Sequence, residues 1–247
     1  MNHELRNIWN LYFHFNWKFG LALILLICIP RFYMVLIANQ TGNYSFIGLI
    51  MLVSALVPFI FLGKYGRKQI GITRTQRFKW LLFAFILGIL GSLLLYVLGK
   101  ILFGTTYHNW YVYIGKSYNI SENIGATQKL IQFAIMAITG MTFSPIGEEL
   151  FFRGIVHGSF AKTLGDKRAS LIDSAAFAFT HLSHFGLVYV NMQWNFYALP
   201  ALLWITGMFL VSFLFFKMKQ KTASIWGAVL CHAGFNLGMI FSIFYWL

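Results

Sequence analysis

Apolar residues along this chain are gathered into long blocks, with no regular alternation of apolar and polar positions. A helix needs about 20 apolar residues to cross a hydrocarbon core of about 30 Å. Blocks of about that size occupy seven regions: 19–38, 44–63, 78–99, 128–143, 169–185, 196–216 and 224–246. The segment around 151–160 would add an eighth span if it turned back into the bilayer. The pattern therefore predicts an all-α fold, a polytopic transmembrane bundle of about seven to eight helices.

The first block has two alternative starts. Arg31 follows Pro30 inside it, which favours a helix that begins earlier, near Leu11, and ends at Ile29. Alternatively, the first eighteen residues form an interfacial helix, because aromatic residues such as Trp9 are enriched at the membrane–water boundary. Neither alternative includes a small-x-small cleavage site, so we expect an uncleaved anchor.

Basic residues mark every second loop between the blocks. Three loops are rich in Lys and Arg: 64–79, 162–168 and 217–221. The loops between them carry little or no charge: 39–43, 104–127 (Lys116 and Glu122 only) and 186–195. Cytoplasmic loops of membrane proteins carry an excess of Lys and Arg. The alternation therefore predicts a multi-pass protein of the cell membrane, with the N-terminus and the basic loops in the cytoplasm.

Composition excludes several other classes of protein. Of 247 residues, 59% are hydrophobic and only 10% are charged, and the mean hydropathy is +0.69. Soluble domains are nearer half apolar and a quarter charged, so a soluble domain, a disordered chain and a disulfide scaffold are excluded. A net charge of +13 would suggest nucleic acid in a soluble protein. Here we expect no nucleic-acid partner, because basic loops hold a membrane protein against anionic lipid headgroups.

Polar residues interrupt the late apolar blocks, where an ionisable side chain costs about 2.5–3.5 kcal/mol on insertion scales. They form three groups: Glu148, Glu149 and Arg153; Phe177, His181 and His184; His232 and Asn236. At about 100° per residue, Glu149 and Arg153 lie close enough on a helix to pair, whereas Glu148 points elsewhere. Each residue alone has a structural explanation, such as a buried brace or a core histidine bonded across helices.

Depth in the bilayer favours a shared site. Counted from the predicted cytoplasmic ends at about 1.5 Å per residue, His181 and Asn236 lie about 18 Å deep and His232 about 12 Å deep. These groups are therefore predicted to converge on one layer. The depth of Glu148 stays open, because Pro145 near it can break or tilt the helix.

Taken in order, the three patterns resemble the CAAX-protease and bacteriocin-processing family, which includes the type II CAAX prenyl endopeptidases. The patterns are Glu-Glu-x-x-x-Arg, Phe-x-x-x-His and His-x-x-x-Asn, and they extend over 147–236. The resemblance divides one membrane domain into an N-terminal membrane-spanning region, 1–127, and a catalytic helical core, 128–247.

The resemblance implies an intramembrane endopeptidase whose site opens toward the cytoplasm. Glu148 would activate water together with His181, and His232 with Asn236 would stabilise the oxyanion. The other two motif residues would be supporting residues: Glu149 and Arg153. No cofactor is expected. The implied partners are the lipid bilayer and a peptide or membrane-protein substrate, in a CAAX-type, peptide-maturation or bacteriocin-immunity role; nothing in the sequence indicates an oligomeric state.

Other functions stay open on the residues alone. A zinc protease would use His181, His184, His232 and a Glu as ligands, although the sequence lacks His-Glu-x-x-His. A non-catalytic scaffold or a proton-coupled transporter would also need buried polar groups. Asp173 lies on the same helical face as His181. We expect it to cap the start of its helix; the alternative is that it orients water or substrate.

Overall fold

Helices account for most of the chain, as the long apolar blocks predict. The computed structural model describes residues 3–120 and 124–247, so Glu122 of the neutral loop lies outside the described residues. The helices are α1 (Asn7–Asn10), α2 (Trp17–Thr41), α3 (Ile47–Phe61), α4 (Lys64–Gln69), α5 (Phe78–Phe103), α6 (Trp110–Gly115), α7 (Ala126–Glu149), α8 (His157–Leu164), α9 (Asp166–Thr180), α10 (Ala198–Thr222) and α11 (Ile225–Tyr245). Short 3₁₀ turns follow α6 and α9 (Lys116–Tyr118 and His181–Ser183), and an antiparallel hairpin joins β1 (Leu187–Val190) to β2 (Gln193–Phe196).

Seven of these helices correspond to the seven predicted blocks, which confirms an all-α membrane bundle. Among the described residues, five segments are long and apolar enough to cross a membrane: Trp17–Thr41, Phe78–Phe103, Ala126–Leu164, Ala198–Thr222 and Ile225–Tyr245. Helices α3 and α9 are shorter, with 15 residues each. The eighth span is not formed, because the residues after Glu149 continue α7 through a π-helical segment, Leu150–Val156, into α8.

Helix α2 differs from both predicted versions of the first block. It begins at Trp17, where the Asn16 side chain accepts hydrogen bonds from two backbone N–H groups, and it ends where Gly42 takes a φ of 73°. Pro30 lies inside it, and Arg31 is buried. The predicted end at Ile29 is therefore wrong, since prolines are tolerated inside transmembrane helices. The alternative of an interfacial helix over the first eighteen residues is also wrong, because the described residues before Trp17 form only the four-residue helix α1.

Helix α11 lies at the centre of the bundle. Most of it is buried, whereas less than a third of the apolar part of α2 or α5 is. It packs against α5, α7 and α10. The outward faces of the other helices carry large exposed apolar side chains such as Leu94 and Ile101, which suits a surface in contact with lipid.

Helices α3 and α7 cross at very short range. A Cβ atom added to Gly147 would lie 2.5 Å from the carbonyl oxygen of Met51, so only glycine fits at this crossing. The crossing holds the chain immediately before Glu148 against α3.

The N-terminus and the basic loops meet at one end of the bundle, which we call the basic end. Lys162 contacts Glu4 at 2.8 Å, and the backbone N–H of Ile225 donates to the carbonyl of Gly71 at 2.8 Å. The neutral loops meet at the opposite, neutral end, where the Lys116 side chain donates to the carbonyl of Tyr189 at 3.2 Å. The fold thus groups the loops as their charges predict.

Candidate active site

A cavity of about 230 Å³ lies inside the bundle and is lined by all four residues predicted to be catalytic. Glu148 comes from the last turn of α7, and His181 directly follows α9. His232 and Asn236 lie one turn apart on α11. Four residues spread over nearly ninety positions of sequence therefore face one enclosed space.

Glu148 presents its two carboxylate oxygens to different partners. Oε1 accepts a hydrogen bond from the Ser144 hydroxyl at 2.5 Å and lies 3.0 Å from the guanidinium of Arg31. Oε2 lies 3.7 Å from Nε2 of His181 and has no hydrogen-bond partner among the described residues. With 2% of its surface exposed, Glu148 keeps one oxygen anchored and one oxygen unoccupied.

His181 is held so that one ring nitrogen faces Glu148. Its Nδ1 lies 2.8 Å from the carbonyl oxygen of Phe177, and because a carbonyl only accepts, Nδ1 carries the hydrogen. In the neutral ring Nε2 is then an acceptor. The ring stacks on Phe177 at 4.2 Å, and Trp204 donates to the His181 carbonyl at 3.0 Å. These contacts fix both the tautomer and the orientation of the ring.

His232 and Asn236 are also engaged by neighbours. Nδ1 of His232 donates to Oε1 of Glu149 at 2.8 Å, and the ring stacks on Phe215 at 4.7 Å. The Asn236 amide donates to the carbonyl of Gly140 at 2.8 Å. Nε2 of His232 can therefore donate a hydrogen bond only when the ring is doubly protonated, whereas Asn236 keeps a second N–H.

Glu149 and Arg153 do pair, within a larger buried network of charges. Nε of Arg153 lies 3.2 Å from Oε2 of Glu149 and 3.9 Å from Asp173, and another guanidinium nitrogen donates to Ser212. Asp173 in turn lies 2.6 Å from Nδ1 of His157. The predicted helix-capping role of Asp173 is wrong, because this residue lies in the second turn of α9, inside the helix, and is fully buried. Its partners, Arg153 and His157, belong to the preceding helical segment.

Arg31 is the site residue that the sequence analysis missed. Its charge led to the prediction that the first helix ends before it, whereas it is buried inside α2 and pairs with Glu148. The available signal was Arg31 itself, because a lone arginine in an apolar block needs a buried partner.

A scan against protein-family models agrees with this arrangement. Residues 130–238 match the family described as type II CAAX prenyl endopeptidase Rce1-like. Over these residues the chain is similar to the CAAX-protease family. The match confirms the resemblance and implies a membrane endopeptidase. It covers the four residues predicted to be catalytic, but it does not cover Arg31. No curated protein and no solved structure matches the chain.

The cavity extends to the neutral end of the bundle. There it is lined by the half-buried residues Tyr44, Ser117 and Tyr118, whereas toward the basic end it is bounded by buried aromatic rings such as Phe177 and Phe215. Burial raises the pKa of Tyr44 to about 12, so its hydroxyl stays protonated and donates to Asn39. The implied cytoplasmic opening and the predicted cytoplasmic basic loops therefore conflict in this fold.

The alternative zinc site would need at least three ligand side chains close together. Within 3–120 and 124–247, no group of three or more His, Cys, Asp or Glu side chains has an arrangement that could hold a metal ion. The rings of His181 and His184 lie 5.3 Å apart.

Proposed function

We propose that this protein hydrolyses a peptide bond inside the membrane with a water molecule activated by Glu148 and His181. The observation that carries the proposal is the 3.7 Å separation between Oε2 of Glu148 and Nε2 of His181. Both atoms accept hydrogen bonds, both line the cavity, and one water molecule can donate a hydrogen to each.

The hydrolysis follows from these positions. The water oxygen forms a bond to the carbonyl carbon as one of its protons moves to Glu148, and the carbonyl electron pair moves to oxygen. When the C–N bond breaks, the proton on Glu148 passes to the leaving amine and the second water proton passes to His181. Glu148 is thus base and then acid.

His232 and Asn236 are proposed to stabilise the oxyanion, and the hydrogen bonds of His232 determine which protonation state its ring must have. Since Nδ1 of His232 donates to Glu149, a second donor at Nε2 makes the ring an imidazolium, and Glu149 compensates its charge. The free N–H of Asn236 is the other donor. Donors fixed in a water-poor site stabilise developing negative charge strongly.

We also propose that the reaction needs no metal ion. The guanidinium of Arg31 lies 3.0 Å from Glu148, and a cation at that distance opposes the binding of a dication to the same carboxylate. The substrate is proposed to be an apolar peptide segment, because Trp204, Met208 and Phe215 form an apolar wall of the cavity.

The test is cleavage of a farnesylated CAAX-type reporter peptide by the purified protein in detergent, with and without a chelator, alongside elemental analysis. Cleavage that persists with the chelator and without stoichiometric metal supports the proposal. Cleavage that depends on bound zinc would make the histidines ligands, and a folded protein that does not cleave the reporter would favour the scaffold or transporter alternatives.

A further inference from the structure

Arg31 lies outside the region that matches the family and yet reaches the site. It is on α2, with 3% of its surface exposed, and it lines the cavity. One guanidinium nitrogen lies 3.0 Å from Oε1 of Glu148, while Nε has no hydrogen-bond partner among the described residues. A buried arginine at this depth needs a function or a partner, and here the partner is the proposed base.

The contacts on Oε1 decide which carboxylate oxygen is free. Arg31 and the Ser144 hydroxyl both engage Oε1. With that oxygen occupied, the carboxylate plane is fixed and Oε2 points to His181. Without Arg31, the carboxylate would keep only the Ser144 hydroxyl as a fixed donor and would rotate more freely.

Helix α2 also contacts the segment that bears His181. Its Asn39 donates to the carbonyl of Ser183, two residues after His181. Tyr44, which follows α2, donates to Oδ1 of the same asparagine and so fixes the amide. One helix thus contacts Glu148 through Arg31 and the His181 turn through Asn39, about 12 Å apart along its axis.

We propose that Arg31 is a positioning residue of the hydrolytic site, supplied by the N-terminal helix, which fixes Glu148 so that Oε2 and His181 share one water. The inference rests on the proposed role of Glu148. A merely structural role, in which Arg31 only neutralises a buried carboxylate, makes a different prediction: it affects the amount of folded protein, whereas positioning affects kcat.

The experiment compares Arg31→Gln, Arg31→Lys, Glu148→Gln and the control Val35→Ala in steady-state cleavage of the reporter peptide, with melting temperature measured for each. Val35 is fully buried one turn further along α2, and its apolar side chain cannot donate a hydrogen bond to the carboxylate. We expect Arg31→Gln to lower kcat about 10²-fold with KM little changed, as a misplaced catalytic group does. Arg31→Lys should show a smaller fall, because it keeps the charge without the forked geometry. Val35→Ala should lower the melting temperature and keep kcat.

The outcomes separate this inference from the proposed function. If Glu148→Gln retains turnover, the proposed function fails. If Glu148→Gln is inactive while Arg31→Gln and Arg31→Lys keep the wild-type kcat, only the role of Arg31 is overturned. Equal losses of kcat in Val35→Ala and Arg31→Gln at equal melting temperature would also overturn it. If Arg31→Gln does not fold, Arg31→Lys decides: a lowered kcat supports positioning, and a wild-type kcat contradicts it.

Discussion

Glu148 and Glu149 are neighbours in the chain with different surroundings. About 100° of helical rotation separates them. Glu148 therefore faces the cavity and Arg31. Glu149 does not line the cavity, and its carboxylate contacts Arg153 and His232. The helical wheel predicts this division from the spacing to Arg153. It does not predict the partner of Glu148, because Arg31 lies more than a hundred positions earlier and no local pattern links the two.

The substitution Glu149→Gln should damage stability as well as rate. It removes the charge that compensates both Arg153 and His232, and an uncompensated buried charge costs about 3–5 kcal/mol. We expect a clear fall in melting temperature in detergent together with slower single-turnover cleavage. An unchanged melting temperature would contradict the compensating role of Glu149. If Glu149→Gln also lost its activity while Glu148→Gln kept turnover, Glu149 would be the base.

The substitution Asn236→Ala should leave a small but measurable rate. Loss of one oxyanion donor costs about 10²–10³ in kcat, with KM little changed, because the donor acts on charge that develops in the transition state. His181→Ala, which removes an acceptor of the activating pair, should be inactive by the same assay. Equal residual rates in the two variants would contradict the division of roles.

Two elements of the fold could not be predicted from the apolar pattern. The π-helical segment after Glu149 is hidden inside a run of apolar residues, because a π-turn changes the backbone hydrogen bonds without requiring a particular residue. Helix α2 continues past Pro30 and Arg31 because a partner on α7 compensates the charge. The seven blocks themselves were predictable, since length and hydropathy decide whether a helix suits the bilayer.

The crossing of α3 and α7 gives a prediction for one glycine. Gly147→Ala would place a methyl group 2.5 Å from the carbonyl oxygen of Met51, and overpacking of this kind costs about 1–3 kcal/mol. We expect a lower melting temperature and slower cleavage, because Glu148 is the next residue. The matched control is Gly48→Ala on α3, where an added Cβ meets nothing within 4 Å. A Gly147→Ala protein as stable and active as Gly48→Ala would contradict the packing.

The whole molecule has two chemically different ends, and the cavity extends to the neutral one. The grouping of the loops followed from the charge pattern, and helix length predicted that the motif residues would come together. The direction of the cavity did not, because it depends on which side chains cover each end, and that is decided by packing between helices. If the basic end is cytoplasmic, the cavity faces the outside of the cell.

Cysteine labelling tests this orientation. The two native cysteines, Cys28 and Cys231, are buried, so single substitutions at exposed loop positions can be introduced once both are replaced. We expect a membrane-impermeant maleimide added to intact cells to modify Asn43→Cys at the neutral end, and to leave Lys68→Cys at the basic end unmodified until the cells are opened. Modification of Lys68→Cys in intact cells would reverse the orientation and restore the cytoplasmic opening.

The most direct test of the proposed mechanism is single-turnover cleavage of the reporter peptide by the wild-type protein and by Glu148→Gln, both with a chelator present. The glutamine keeps the size of the side chain and cannot take a proton from water. We predict wild-type cleavage at an unchanged rate and no detectable cleavage by a folded Glu148→Gln protein. Substantial cleavage by Glu148→Gln, or wild-type activity abolished by the chelator, would contradict water activation by Glu148.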